Sequence, residues 1–177
     1  MNLYGPKQLV ESMRTVRKNT IQIAEDIPEK DYSYRPTPES RSAAETLVHI
    51  AGLATFDRFV HEEQRLSSLE GFDFGALISK SELEEKRPRS KREIVDLLRT
   101  EGERWRQWVE SLPEAILAEQ VRMPGGASKT RFELLLGTKE HEMQHRAQLT
   151  VIERLLGIVP HLTRNRRQAR EAAAKAS

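Results

Sequence analysis

His141 and His145 stand four residues apart in the stretch TKEHEMQHRAQL, residues 138–149. In an α-helix of about 3.6 residues per turn, that spacing puts both imidazoles on one stripe a turn apart, close enough to share a metal ion. A tightly held transition metal takes three or four ligands, so a third must come from elsewhere. At about 100° per residue, Leu134, Gln148, Leu149, Ile152 and Leu156 fall on the same side of the helix. The histidines are therefore expected to be buried, and a buried imidazole needs a partner at each ring nitrogen. A metal supplies one; so do carbonyls and carboxylates in an ordinary core. The motif alone leaves both readings open.

HEMQH also satisfies the HExxH pattern, in which the glutamate serves as general base and the histidines bind zinc. The extended form of that pattern needs a glycine three residues after the second histidine and another histidine three beyond, and Gln148 and Val151 stand there. Glu153 lies on the same helix, rotated about 80° from His145, and cannot readily close on the same ion. A zinc protease is the least favoured reading. Glu142 is then a coincidence or a group that supports the ligands from behind.

The elements that would carry these residues are helices. Pro6 suits a first turn, and Leu9, Met13, Val16, Thr20, Ile23 and Ile27 recur at steps of three or four until Pro28. Pro36 and Pro38 hold residues 29–41 extended, and Tyr32 and Tyr34 there are expected to pack over the bundle end. Ser42 with Glu45 forms a capping box opening a second helix that runs to about Leu66. His49 sits two turns in, with Leu53, Phe56 and Val60 within about 40° of its direction, so it too points to the core side. His61, rotated about 120° from His49 and followed by Glu62, Glu63, Gln64 and Arg65, reads as a surface residue.

Residues 67–89 break the pattern with Gly71, Gly75 and Pro88, long enough to cross the bundle or cover a site. Ser90 and Glu93 open a third helix through Trp105 and Trp108, read as core, to Pro113. Residues 113–129 form a loop with at most a small hairpin. Thr130 and Glu133 open a fourth helix, which carries His141 and His145 and stops at Gly157. The expected fold is all-α, a four-helix bundle with a long crossover between helices two and three. Residues 1–160 form the bundle and 161–177 an Arg-rich C-terminal helix or tail.

Composition narrows the partners. Among 177 residues there is no cysteine, which excludes disulfides and any thiol nucleophile from the chain itself. Net charge is only +2, and the basic tail with Arg164, Arg166, Arg167 and Arg170 lacks interleaved aromatics, so nucleic acid is not expected. No apolar run resembles a signal peptide or a membrane span, and a soluble, cytoplasmic protein is expected.

Two stretches, YSYRPTPESRSAAETLVHIAG and HEMQHRAQL, together resemble the DinB-like superfamily of metalloenzymes, which includes YfiT-type proteins and thiol-dependent transferases and isomerases. The resemblance covers nearly the whole chain except the Arg-rich tail. It implies an up-down-down-up four-helix bundle, often a homodimer, holding a divalent ion on His49, His141 and His145. Ala147 stands where the family commonly has glycine, a minor departure.

Three neutral histidines leave an open coordination position, the form of a catalytic site. The expected function is that of a metal-dependent hydrolase or thiol S-transferase on a small electrophilic substrate, with a low-molecular-weight thiol as one co-substrate. Imidazole suits several metals, zinc or nickel first. Gln148, Glu142 and Glu45 are the candidates to orient ligands or touch substrate, and Phe72, Phe74, Tyr32 and Tyr34 to enclose it. The competing class is a non-catalytic bundle that keeps its metal for stability or mediates association.

Overall fold

The computed structural model describes residues 4–176. In chain order the helices are α1 (Pro6–Asp26), α2 (Ala43–Arg58), α3 (Phe74–Glu85), α4 (Lys91–Ser111), the single turn α5 (Glu114–Leu117), α6 (Arg131–Leu155) and α7 (His161–Ala176). Two short strands, β1 (Gln120–Arg122) and β2 (Ser128–Thr130), pair antiparallel between α5 and α6. The expected four long helices are α1, α2, α4 and α6. Each of α1 and α2 packs against both α4 and α6, which places α1 and α2 on one diagonal of the bundle.

Helix starts follow from capping chemistry. Ser42, Ser90 and Thr130 each accept from the backbone N–H three residues on, while Glu45, Glu93 and Glu133 reach back to the cap residue's own N–H. Pro6 fills the first turn of α1, and Gly157, at φ 76°, supplies the left-handed residue that ends α6.

The core lies in two main clusters. One joins Ile23, Ile27, Leu47, Ile50, Leu98, Leu149 and Ile152; the other joins Leu9, Met13, Val16, Trp105, Val109 and Leu135. Both tryptophans are buried, and the Trp105 indole N–H donates to Asp57 Oδ2 at 2.7 Å. Tyr32 and Tyr34 pack against the first cluster, and the Tyr32 hydroxyl donates to the Ala24 carbonyl.

Three expectations need correction. The segment after Pro28 is not wholly extended: a 3-10 turn at Glu29–Asp31 precedes the prolines. The second helix ends sooner than Leu66, because at Phe59–Glu63 it widens into a π turn and Arg65 then takes a positive φ of 43°. That wider turn moves His61 out of the register a regular helix gives it. His61 is not on the surface but buried, stacked on Trp108 and accepting at Nδ1 from Arg131 Nη1 at 3.0 Å. Burial and the Arg131 charge push its pKa down to about 4. Among the described residues no helix is long and apolar enough to cross a membrane.

Candidate metal centre

The capping box at Ser42 fixes where α2 begins and so sets His49 two turns along it; the box at Thr130 does the same for His141 and His145 on α6. Packing of α2 on α6 then brings the three rings together. His49 Nε2 lies 3.4 Å from His141 Nε2, and His141 Nε2 lies 2.8 Å from His145 Nε2. The three potential ligand atoms all fall within 4.8 Å of one another. A tetrahedral ion with bonds of about 2.0–2.1 Å to nitrogen separates its ligands by about 3.3 Å. The observed set brackets that separation.

The outward nitrogens decide which way the lone pairs face. Glu85 is a pure acceptor when ionised, so His49 Nδ1–H donates to its Oε1, at 2.8 Å. His145 Nδ1–H donates to Gln148 Oε1 at 2.9 Å. Both bonds put the proton on Nδ1 and leave Nε2 bare toward the centre, the arrangement metal-binding histidines take. Glu85, the last residue of α3, also accepts from Arg41 Nε at 2.6 Å and Ser81 Oγ at 2.9 Å. Burial opposes its charge, but the bonds from His49, Arg41 and Ser81 outweigh burial and hold its pKa down to about 2.

The histidine face is less buried than its helical neighbours suggested. His145 is buried and His49 half-buried, whereas His141 and Gln148 reach solvent. The ring cluster therefore sits at the lip of the core, not within it. Partial burial, then the neighbouring His145, His49 and Arg41, push the His141 pKa down to about 4; burial also lowers that of His145. Imidazoles so depressed stay neutral, as metal ligands must.

An open cleft of about 640 Å³ adjoins the centre. Arg35, Arg41, Lys86, Glu82, His145 and Gln148 are among its lining residues. None of Tyr32, Tyr34, Phe72 and Phe74 is, so the aromatic enclosure is corrected. The phenylalanines instead pack with Phe56 and Phe59 in a third cluster. Two supporting candidates make their bonds elsewhere, although Glu45 also lines the cleft. Glu45 binds Ser42 and Arg35, and Glu142 is fully buried against Arg17 and Thr20. Neither bonds a histidine. Glu85 was missed: it belongs to the crossover, and nothing in SELEEK distinguishes it from its exposed neighbours except the adjacency the fold creates.

A four-helix bundle with inward-converging histidines defines a class, and the chain belongs to one family within it: the DinB superfamily matches residues 12–149. YjoA of Bacillus subtilis, an uncharacterized protein, is 28% identical over 152 residues, covering 85% of this chain and 90% of YjoA. Its crystal structure, that of a DinB-like protein, superposes with a TM-score of 0.62 at 26% identity, covering 85% of this chain and 92% of that one. YfiT from Bacillus subtilis, a probable metal-dependent hydrolase with an unusual four-helix bundle topology, superposes at 0.68 with 16% identity over 86% of this chain and 88% of YfiT. The mycothiol-dependent maleylpyruvate isomerase superposes at 0.63 with 10% identity over 82% of this chain and 61% of its own. At such identities the last two speak to fold alone.

Proposed function

We propose that this protein is a metal-dependent enzyme whose divalent ion is held by His49, His141 and His145, and that it acts on a small electrophilic substrate as a hydrolase or a thiol S-transferase. The observation that carries the reading is the convergence of three imidazoles, two of them with Nε2 left bare by bonds to Glu85 and Gln148. An ion bound there would polarise a substrate carbonyl and lower the pKa of a water or thiol. The chain's own residues supply the rest. Glu85 holds the His49 ring and links it to Arg41, and Gln148 orients His145 while lining the cleft where a substrate would enter. YfiT and the isomerase share this fold, and their descriptions as a probable metal-dependent hydrolase and a mycothiol-dependent enzyme bracket the reactions proposed.

The protease reading loses its general base, because both Glu142 oxygens are occupied by Arg17 inside the core. A non-catalytic, metal-stabilised bundle is favoured by one observation: Arg35, Arg41 and Lys86 in the cleft are already paired with Glu45, Glu85 and Glu82.

Elemental analysis of protein purified without an affinity tag tests the centre. Wild type is expected to carry about one equivalent of divalent metal, and His49→Ala, His141→Ala and His145→Ala to lose it. Retention of metal by His49→Ala sinks the three-histidine assignment. Turnover of activated esters, or conjugation of a thiol to an electrophile by the loaded wild type, separates enzyme from inert bundle.

A further inference from the structure

Glu142 sits between the two α6 histidines in sequence, about 100° round the helix from His141 and about 60° from His145, and is fully buried in the core. Arg17 Nε lies 3.0 and 3.1 Å from its two oxygens, Arg17 Nη2 donates to Oε2 at 2.9 Å, and the Thr20 hydroxyl donates to Oε1 at 2.7 Å. The same guanidinium donates to the Leu98 carbonyl at 2.8 Å and the Ile50 carbonyl at 3.4 Å. One side chain of α1 thus ties together α2, α4 and α6 at the level of His141.

A buried ion pair is a poor stabiliser, since desolvation cancels much of its attraction and apolar replacements are often neutral. What it supplies is direction: a forked guanidinium meets a carboxylate in a narrow range of angles. The chain also makes room for it. Gly102 stands inside α4, where glycine is disfavoured, and a Cβ there would meet Arg17 Cγ at 3.0 Å and Nη1 at 3.3 Å.

We propose that the Arg17–Glu142 pair is a positioning device for the histidine cluster, fixing the rotation of α6 about its axis and thereby the direction in which His141 and His145 present Nε2 toward His49. The proposal rests on the three-histidine reading. Productive ligand geometry tolerates about 10–20° of error, which a helix packed only by apolar side chains can exceed by sliding. Arg17 and Glu142 are positioning residues and touch neither ion nor substrate.

The test uses the full chain, Zn²⁺ binding by calorimetry, the visible absorption of the Co²⁺-loaded form, and melting of the chelator-treated form. In the double variant Arg17→Met with Glu142→Met, the metal-free protein is expected to melt close to wild type, while Zn²⁺ affinity falls about tenfold or more and the Co²⁺ spectrum changes. A merely structural pair would leave affinity and spectrum unmoved once stability is restored. Gly102→Ala is the independent arm if the double variant does not fold: it keeps both charges, crowds Arg17, and is expected to weaken Zn²⁺ binding with little change in metal-free melting. Wild-type affinity and an unaltered spectrum in a folded double variant, or wild-type affinity in Gly102→Ala, overturn the positioning role. Should wild type itself fail to bind Zn²⁺, the three-histidine reading falls and takes this inference with it. Binding by wild type but not His49→Ala keeps that reading standing whatever the other variants do.

Discussion

Glu85 does at the scale of one side chain what no motif announces. Its carboxylate takes the Nδ1 proton of His49 and is held in turn by Arg41 and Ser81. Removing such a group frees the ring to rotate and lets the proton move to Nε2, and comparable losses cost about 10–100-fold in metal affinity. Glu85→Ala is therefore expected to weaken Zn²⁺ binding within that range, measured by calorimetry, and Glu85→Gln by less because the amide oxygen still accepts. Affinity equal to wild type in Glu85→Ala would remove it from the site. His141 and His145 were legible as a pair because their spacing is a local property of one helix; apolar neighbours on α2 gave only the core-side direction of His49, and its place beside the other two rested on the resemblance of the two motifs to the family. Glu85 was illegible for the opposite reason: 36 residues separate it from His49, and only the packing of α3 on α2 brings them together. Arg17 and Glu142, 125 residues apart, were hidden in the same way.

Between elements, the α6–α7 junction holds the unusual chemistry. Glu153 is fully buried on α6, and neither of its carboxyl oxygens has a partner; nor does His161 Nδ1 at the start of α7. His161 Nε2–H donates to Asn19 Oδ1, and Arg164 binds Asp26, so α7 is tied to α1 beside this acid. Burial first, then the Asp26 charge, raises the Glu153 pKa to about 7, against the partial relief of Arg164 and Arg154. A raised carboxyl means that the folded state binds the extra proton, so its contribution is present below the unfolded value of 4.5 and is lost as pH rises through about 7. Glu153→Met, of similar length and apolar, is expected to stabilise the protein at pH 8 by about 1–3 kcal/mol, with a smaller gain at pH 4.5. Urea melts at the two pH values read this out; an equal gain at both, or a loss at pH 8, contradicts it. The capping boxes that start α2, α4 and α6 were all readable, since each is a four-residue contact. The π turn after α2 was not, because projecting His61 at a constant angle from His49 fails once the helix widens.

At the scale of the whole molecule, the proposed ion would be linked to the fold, because its three histidines come from two helices that must be packed to converge. An ion that binds the folded chain alone stabilises it by about 2.7 kcal/mol at a hundred times its dissociation constant. For a chain of this size each kcal/mol raises the melting temperature by about 2–4 °C, so saturating metal should add about 5–11 °C. The pH dependence carries the sharper content. Unperturbed imidazoles compete with protons for metal from about pH 6.5 downward. Here the His141 pKa is pushed down to about 4 and that of His145 is also lowered, so these two rings compete with protons less than free imidazoles do, and the metal-induced shift should be lost at a lower pH than free imidazoles would give. Without metal, depressed histidines have their own effect. The stability linked to neutral His61 and His141 is fully present above the ordinary imidazole value of 6.5 and is lost as pH falls toward about 4, because the unfolded chain takes up protons first. Scanning calorimetry with and without Zn²⁺ at pH 7.5, 5.5 and 4 separates the two contributions, and His49→Ala is expected to abolish only the metal-dependent one. A shift that survives in His49→Ala would mean the stabilising ion sits somewhere other than on these three rings.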